Sequence, residues 1–132
     1  MSPTTDANRE TNQAALAAAL MDPAVYELPA GERVERLETH ISYVYLAGAQ
    51  AYKIKKAVNL GFLDFTTLAA RRFYCDEELR LNRRFAPALY LAVVPIAGTP
   101  ARPLLGGDGP AIEWAVKMRR FPQDGLLDRL LA

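Results

Sequence analysis

The sequence predicts an α+β domain built on a five-stranded antiparallel sheet, with one long helix packed on a sheet face and a short helix in front. Three observations carry that expectation. Several short runs are rich in β-branched and aromatic residues and alternate with the two-residue period of strands. A single long helix-forming stretch begins at Thr66-Thr67 and is stopped by Pro87, because proline disfavours helical geometry in the residue before it. Turn signals stand between the runs at Ala47-Gly48-Ala49 and across Gly106 to Pro110, so neighbouring strands are joined tightly and run antiparallel.

Residues 1 to about 10 are polar, and Asn12 to Met21 is rich in strong helix formers before the breaker Asp22-Pro23, which gives the first helix. Tyr26 to Gly31 reads as a loop punctuated by Pro29 and Gly31. Val34 to Gly48 holds two strands that meet near Thr39 to Ser42, and Ala51 to Val58 is the third. Period two places Ala51, Lys53 and Lys55 on one face of that strand and Tyr52, Ile54 and Lys56 on the other. A linker from Asn59 to Phe65 leads to Thr66 and Thr67, either of which can cap the long helix by accepting a bond from an orphan amide. On that helix, which should reach about Phe85, Tyr74, Glu78, Leu81 and Phe85 fall on one face, with Glu77 to the side. Leu89 to Ile96 is the fourth strand, with Pro95 marking an edge or bulge, and Ala111 to Met118 is the fifth. Beyond Arg119-Arg120-Phe121-Pro122 a further helix is expected from Asp124 to Leu131.

A chain of 132 residues with 51% hydrophobic content can bury one core, and it predicts one compact domain. The formal charge of +1 supplies no global field toward nucleic acid or an anionic membrane, so anion binding has to be local. Cys75 is the single cysteine and has no partner for an internal disulfide; the amino terminus lacks the basic start and apolar run of a signal peptide. The expected location is the cytoplasm. The apolar run Ala14 to Met21 is too short to span a bilayer, and one histidine, His40, with one distant cysteine makes no zinc site.

Lysines on a strand followed by carboxylates on a helix form the chemically pointed pattern. An ammonium offsets phosphate charge, and a carboxylate beside it keeps its flexible stem aimed. Lys53 is the first candidate and Lys55 the second, with Glu78, whose neighbours on the helix face are apolar, preferred over Glu77 as their partner. The plainer reading makes Lys53, Lys55 and Lys56 the solvated end of a surface strand. It pairs Glu77 and Glu78 with the arginines that follow at helical spacing. The cluster Gly106-Gly107-Asp108-Gly109 reads as a hairpin turn, since neither a helix start nor a lysine follows as a phosphate loop requires. Thr39, His40 and Ser42, at the bend between the first two strands, keep a phosphate-side role open.

The order of three strands, one long helix and two strands resembles the small lobe of protein-kinase-like folds. Glu38 to Ser42, Ala51 to Lys56, Phe62 to Phe65, Cys75 with Glu78 to Arg84, Leu89 to Leu91, Val94 to Ile96, and Met118 to Asp124 together resemble the amino-terminal lobe of a bacterial aminoglycoside-phosphotransferase-like family. Members of that family are often fused to a P-loop ATP-binding domain. The resemblance implies a leader and short helix over 1–25, a kinase-like lobe over 26–122, and the start of a second lobe over 123–132. It implies ATP binding, with Lys53 on the α and β phosphates and Glu78 orienting it. Ala51 makes room for the base, and the backbone of Met118, Arg119 and Arg120 meets the adenine. Phosphate transfer to a hydroxyl-bearing small molecule, with Mg2+ held by a carboxy-terminal lobe, is implied likewise. Thr39 to Tyr43 stands where protein kinases have a glycine-rich loop. Because Ala132 precedes any catalytic-loop aspartate or metal-binding pair, the chain is expected to be an incomplete enzyme, inactive alone. The competing expectation is a non-catalytic interaction module or a gene remnant.

Overall fold

The computed structural model describes residues 6–120, with side chains from residue 12 onward. Phe121, Pro122 and the helix expected from Asp124 to Leu131 lie outside the described residues. Helix α1 (Asp6–Ala19) and a short 3-10 turn (Pro23–Tyr26) precede strands β1 (Val34–Glu38), β2 (Ser42–Ala47) and β3 (Gln50–Lys55). Helix α2 (Leu68–Asn82) follows, then β4 (Tyr90–Gly98), β5 (Pro103–Leu105) and β6 (Glu113–Arg119). All pairings are antiparallel, in one six-stranded sheet of order β1-β2-β3-β6-β4-β5.

The fold class is α+β, as expected, but the sheet has six strands and not five. The additional strand is β5, three residues long. It forms because Gly98, at φ 80°, and the Thr99–Arg102 turn fold the chain back on the end of β4. A three-residue strand that opens on proline offers no alternation to read. Pro95 marks neither an edge nor a bulge: β4 lies between β6 and β5, Pro95 stands opposite Trp114 of β6, its carbonyl accepts from the Gly106 amide just past β5 at 2.7 Å, and the register of β4 shifts between Tyr90 and Ala92 instead.

Helices cover both faces of the sheet. Alternate residues Val44, Leu46, Ala51, Val116 and Met118 pack toward α2 with Cys75. Tyr45, Tyr52, Ile54 and Ala115 face the other way and join Leu16 of α1 and Leu20 just past its end. The tyrosine tips tie α1 down by bonding carbonyls near its end, which lack helical partners. Tyr45 Oη donates to Ala17 O at 2.8 Å and Tyr26 Oη to Leu20 O at 2.7 Å.

Thr67 caps α2, its Oγ1 accepting from the Ala70 amide at 3.1 Å, while Thr66 bonds Asp64 instead. The helix ends earlier than expected, with Arg83 at its cap. Its inward face also differs in phase. Arg71 and Cys75 are buried and Glu78 and Leu79 partly so, whereas Leu81 is 47% and Phe85 85% exposed. Glu78 faces inward as expected, but apolar character misplaced the rest of the face because it carries Arg71, which finds its partner Glu113 inside. β3 is likewise no solvated surface strand: it lies between β2 and β6, and Ala51 to Lys55 are all buried.

Candidate functional site

The register of β2, β3 and β6 assembles one chemical surface under α2. Ser42 lies opposite Lys55, Val44 opposite Lys53, and Leu46 opposite Ala51. On the other side Ala51 meets Met118 and Lys53 meets Val116. Since residues directly opposite in an antiparallel pair share a face, Ser42, Ala51, Lys53, Lys55 and Met118 all point toward α2. Glu78 lies one helical turn beyond the buried Cys75, on the same side of α2.

Both strand lysines converge on that one carboxylate. Lys55 Nζ is 2.8 Å from Glu78 Oε1 and Lys53 Nζ is 3.4 Å from Glu78 Oε2. The three side chains are 10%, 5% and 14% exposed, so little water screens them. Burial alone pushes the Glu78 carboxyl up, but the charges of Lys53 and Lys55 outweigh it and hold it below the usual carboxylate range. The Lys55 ammonium also stands 5.7 Å from the Phe65 ring centroid. Beside Lys55, the Ser42 hydroxyl is buried with no hydrogen-bond partner among the described residues. Glu77 points outward and pairs with Arg80 at 2.6 Å.

A second buried network holds the end of β3 and was not read from the sequence. Gln13 of α1 donates to Lys55 O and to Glu113 Oε2, both at 2.9 Å, and accepts from the Ala57 amide at 2.7 Å. Glu113 Oε1 in turn takes the Arg71 Nε at 2.9 Å, and Arg71 Nη1 reaches Phe65 O at 2.8 Å. One chain of side chains therefore links α1, β3, β6 and α2. The available signal was a lone glutamine in an alanine-rich helix and a lone glutamate beside Trp114 in an apolar strand. Polar residues at positions that face a core need buried partners.

The bend between β1 and β2 is closed on itself. Thr39 Oγ1 accepts from the Ile41 and Ser42 amides at 3.3 and 3.1 Å, and the Thr39 amide donates to Ser42 O at 2.9 Å. These groups are thus engaged within the bend, and His40 is exposed. At the end of β6 the Arg119 amide donates to Leu89 O at 2.8 Å and the Arg120 amide to Ala49 O at 2.9 Å. Any base edge met by these two residues would have to bond their carbonyls. The Arg120 side chain is 3.6 Å from Glu35.

Cys75 is fully buried, and burial pushes its thiol up to about 12, which makes it a packing residue rather than a nucleophile. Among the described residues there is no group of three or more His, Cys, Asp or Glu side chains placed to hold a metal ion, and no helix is long and apolar enough to cross a membrane. No protein-family model matches the chain, and neither a curated protein nor a solved structure matches it.

Proposed function

We propose that this domain holds the phosphates of ATP on the α2-facing side of its sheet, as the nucleotide-binding lobe of a small-molecule phosphotransferase. The observation that carries the reading is the buried trio Lys53, Glu78 and Lys55, with the Ser42 hydroxyl, partnerless among the described residues, beside it. Ion pairs of this kind are poor investments in stability, since desolvating the charges costs several kcal/mol each by general estimates. Their placement on a sheet face, with a carboxylate orienting two ammonium groups, suits anion recognition. Lys53 and Lys55 would meet phosphate oxygens, Glu78 would keep both stems aimed, and the Ser42 hydroxyl would donate to the same anion. Ala51 and Met118 would floor the base. On this reading Mg2+, the catalytic base and the pocket for a hydroxyl-bearing acceptor belong to a carboxy-terminal lobe, and a fused P-loop domain is a candidate partner.

Thermal unfolding with MgATP and MgADP tests the reading. Nucleotide should raise the midpoint of the wild type, and Lys53→Met and Lys55→Met should each remove most of the rise. A rise that survives both substitutions overturns the assignment. A second reading, a non-catalytic interaction module, is favoured by one observation: Phe62 and Phe85, at 84% and 85% exposed, flank α2, on which Phe73 and Leu81 are also exposed. Under that reading a partner would bind Lys53→Met as well as the wild type.

A further inference from the structure

The sheet face turned away from Glu78 carries a groove that the nucleotide reading leaves unused. Its volume is about 490 Å³, within the range of roughly 300–1,000 Å³ typical of small-ligand pockets. The floor is Tyr52 on β3 and Lys117 on β6, which lie directly opposite each other in the β3–β6 register. The walls are the Ala24–Glu27 segment and the Pro103–Gly107 segment that contains β5.

Two polar groups on this floor differ from their counterparts elsewhere. The chain has four lysines: Lys53 and Lys55 pair with Glu78 and Lys56 with Glu38, whereas Lys117 makes no ion pair among the described residues. Tyr26 and Tyr45 each donate their hydroxyl to a backbone carbonyl of the α1 region. Tyr52 is 8% exposed, yet its hydroxyl has no hydrogen bond among the described residues. Burial pushes its pKa up, so it stays a protonated donor at neutral pH. A hydroxyl and an ammonium carried by directly opposite residues of adjacent strands and lining one groove suit the two oxygens of a carboxylate.

The rest of the groove limits the ligand further. The Tyr26 ring lies 5.3 Å from that of Tyr52, and Val94 and Leu105 add apolar surface, a lining that accepts a flat or aliphatic body. Glu27 is the other charged residue of the lining and disfavours a second negative charge, which argues against phosphates and polyanions. We infer that this groove, walled by the short strand β5, binds a small amphiphilic monocarboxylate, with Lys117 and the Tyr52 hydroxyl on its carboxylate and Tyr26, Val94 and Leu105 against its apolar body. The site lies on the opposite sheet face from the trio, and its truth does not depend on nucleotide binding.

The experiment is a titration of the 15N-labelled protein with 3-phenylpropionate, followed by its amide and its alcohol. Saturable shifts are expected at Tyr26, Tyr52, Leu105 and Lys117, with the uncharged analogues weaker by about tenfold or more. Lys117→Met should weaken the acid by a similar factor and leave the amide unchanged, while Lys117→Arg restores part of the affinity. Tyr52→Phe should weaken it less. Absence of saturable shifts, equal binding of acid and amide, shifts centred on Lys53 and Lys55, or unaltered affinity in Lys117→Met would each overturn the inference.

Discussion

Strand β3 shows opposite chemistry to the two helices that sandwich it. Toward α2 it turns Lys53 and Lys55, tethered by Glu78; toward α1 it turns Tyr52 and Ile54, packed among tyrosines and aliphatic residues. Period-two alternation makes this possible, since one strand serves two unrelated surfaces without a loop between them. The α1 face is secured by apolar burial and by tyrosine hydroxyls on helix carbonyls, which tolerate small changes. The α2 face depends on three charges at short range, where loss of one partner strands the others.

Removing Glu78 should therefore have the largest effect. Glu78→Leu leaves two buried ammonium groups together and should lower stability by about 3–5 kcal/mol, read by urea unfolding. Tyr52→Phe on the opposite face should change it by less than about 1 kcal/mol, because its hydroxyl has no hydrogen bond to lose among the described residues. Equal losses from the two variants would remove the contrast between the faces.

Gln13 bridges the two regions, and its loss comes next in size. Gln13→Met leaves the Lys55 carbonyl, the Ala57 amide and one Glu113 oxygen short of a partner, and should cost about 2–3 kcal/mol. Under the proposed nucleotide reading, if the network also positions Lys55, nucleotide affinity should fall in this variant and fall no further when Lys55→Met is added. Additive losses would confine Gln13 to stability.

Acid should act on the α2 face through Glu78. The folded-state pKa of Glu78 lies below its unfolded value, so its contribution is complete above the unfolded value of about 4.3. It is lost as pH falls through the folded value. Between pH 6 and 3 the wild type should lose more stability than Glu78→Gln, in which that titration is absent; parallel curves would contradict the coupling. The smallest effects belong to the exposed apolar residues on and just past α2. Leu81→Ser and Phe85→Ser should stay within about 0.5 kcal/mol, and native Cys75 should resist thiol reagents until unfolding.

The local pattern alone determined a good deal. Alternation in Ala51 to Lys55 placed both lysines on one face, the Thr66-Thr67 pair marked the start of the helix although Pro87 overshot its end, and the Gly48 turn joined β2 to β3. These are decided within a few residues by backbone sterics and hydrogen-bond geometry, which sequence states directly. The pairing choice was legible only in part. Glu78 was the preferred carboxylate, but that Lys53 and Lys55 share it depends on where α2 comes to rest over the sheet.

Only the tertiary structure decided the rest. The inward phase of α2 follows Arg71, because distant Glu113 neutralises it there, and hydrophobicity cannot report a partner 42 residues away. Gln13 reads as one more helix residue until α1 is laid against the end of β3. β5 exists because a turn at Gly98 returns three residues to β4. A side chain's burial is set by whether its charge or hydrogen bonds are met inside, and those partners are brought together by the fold.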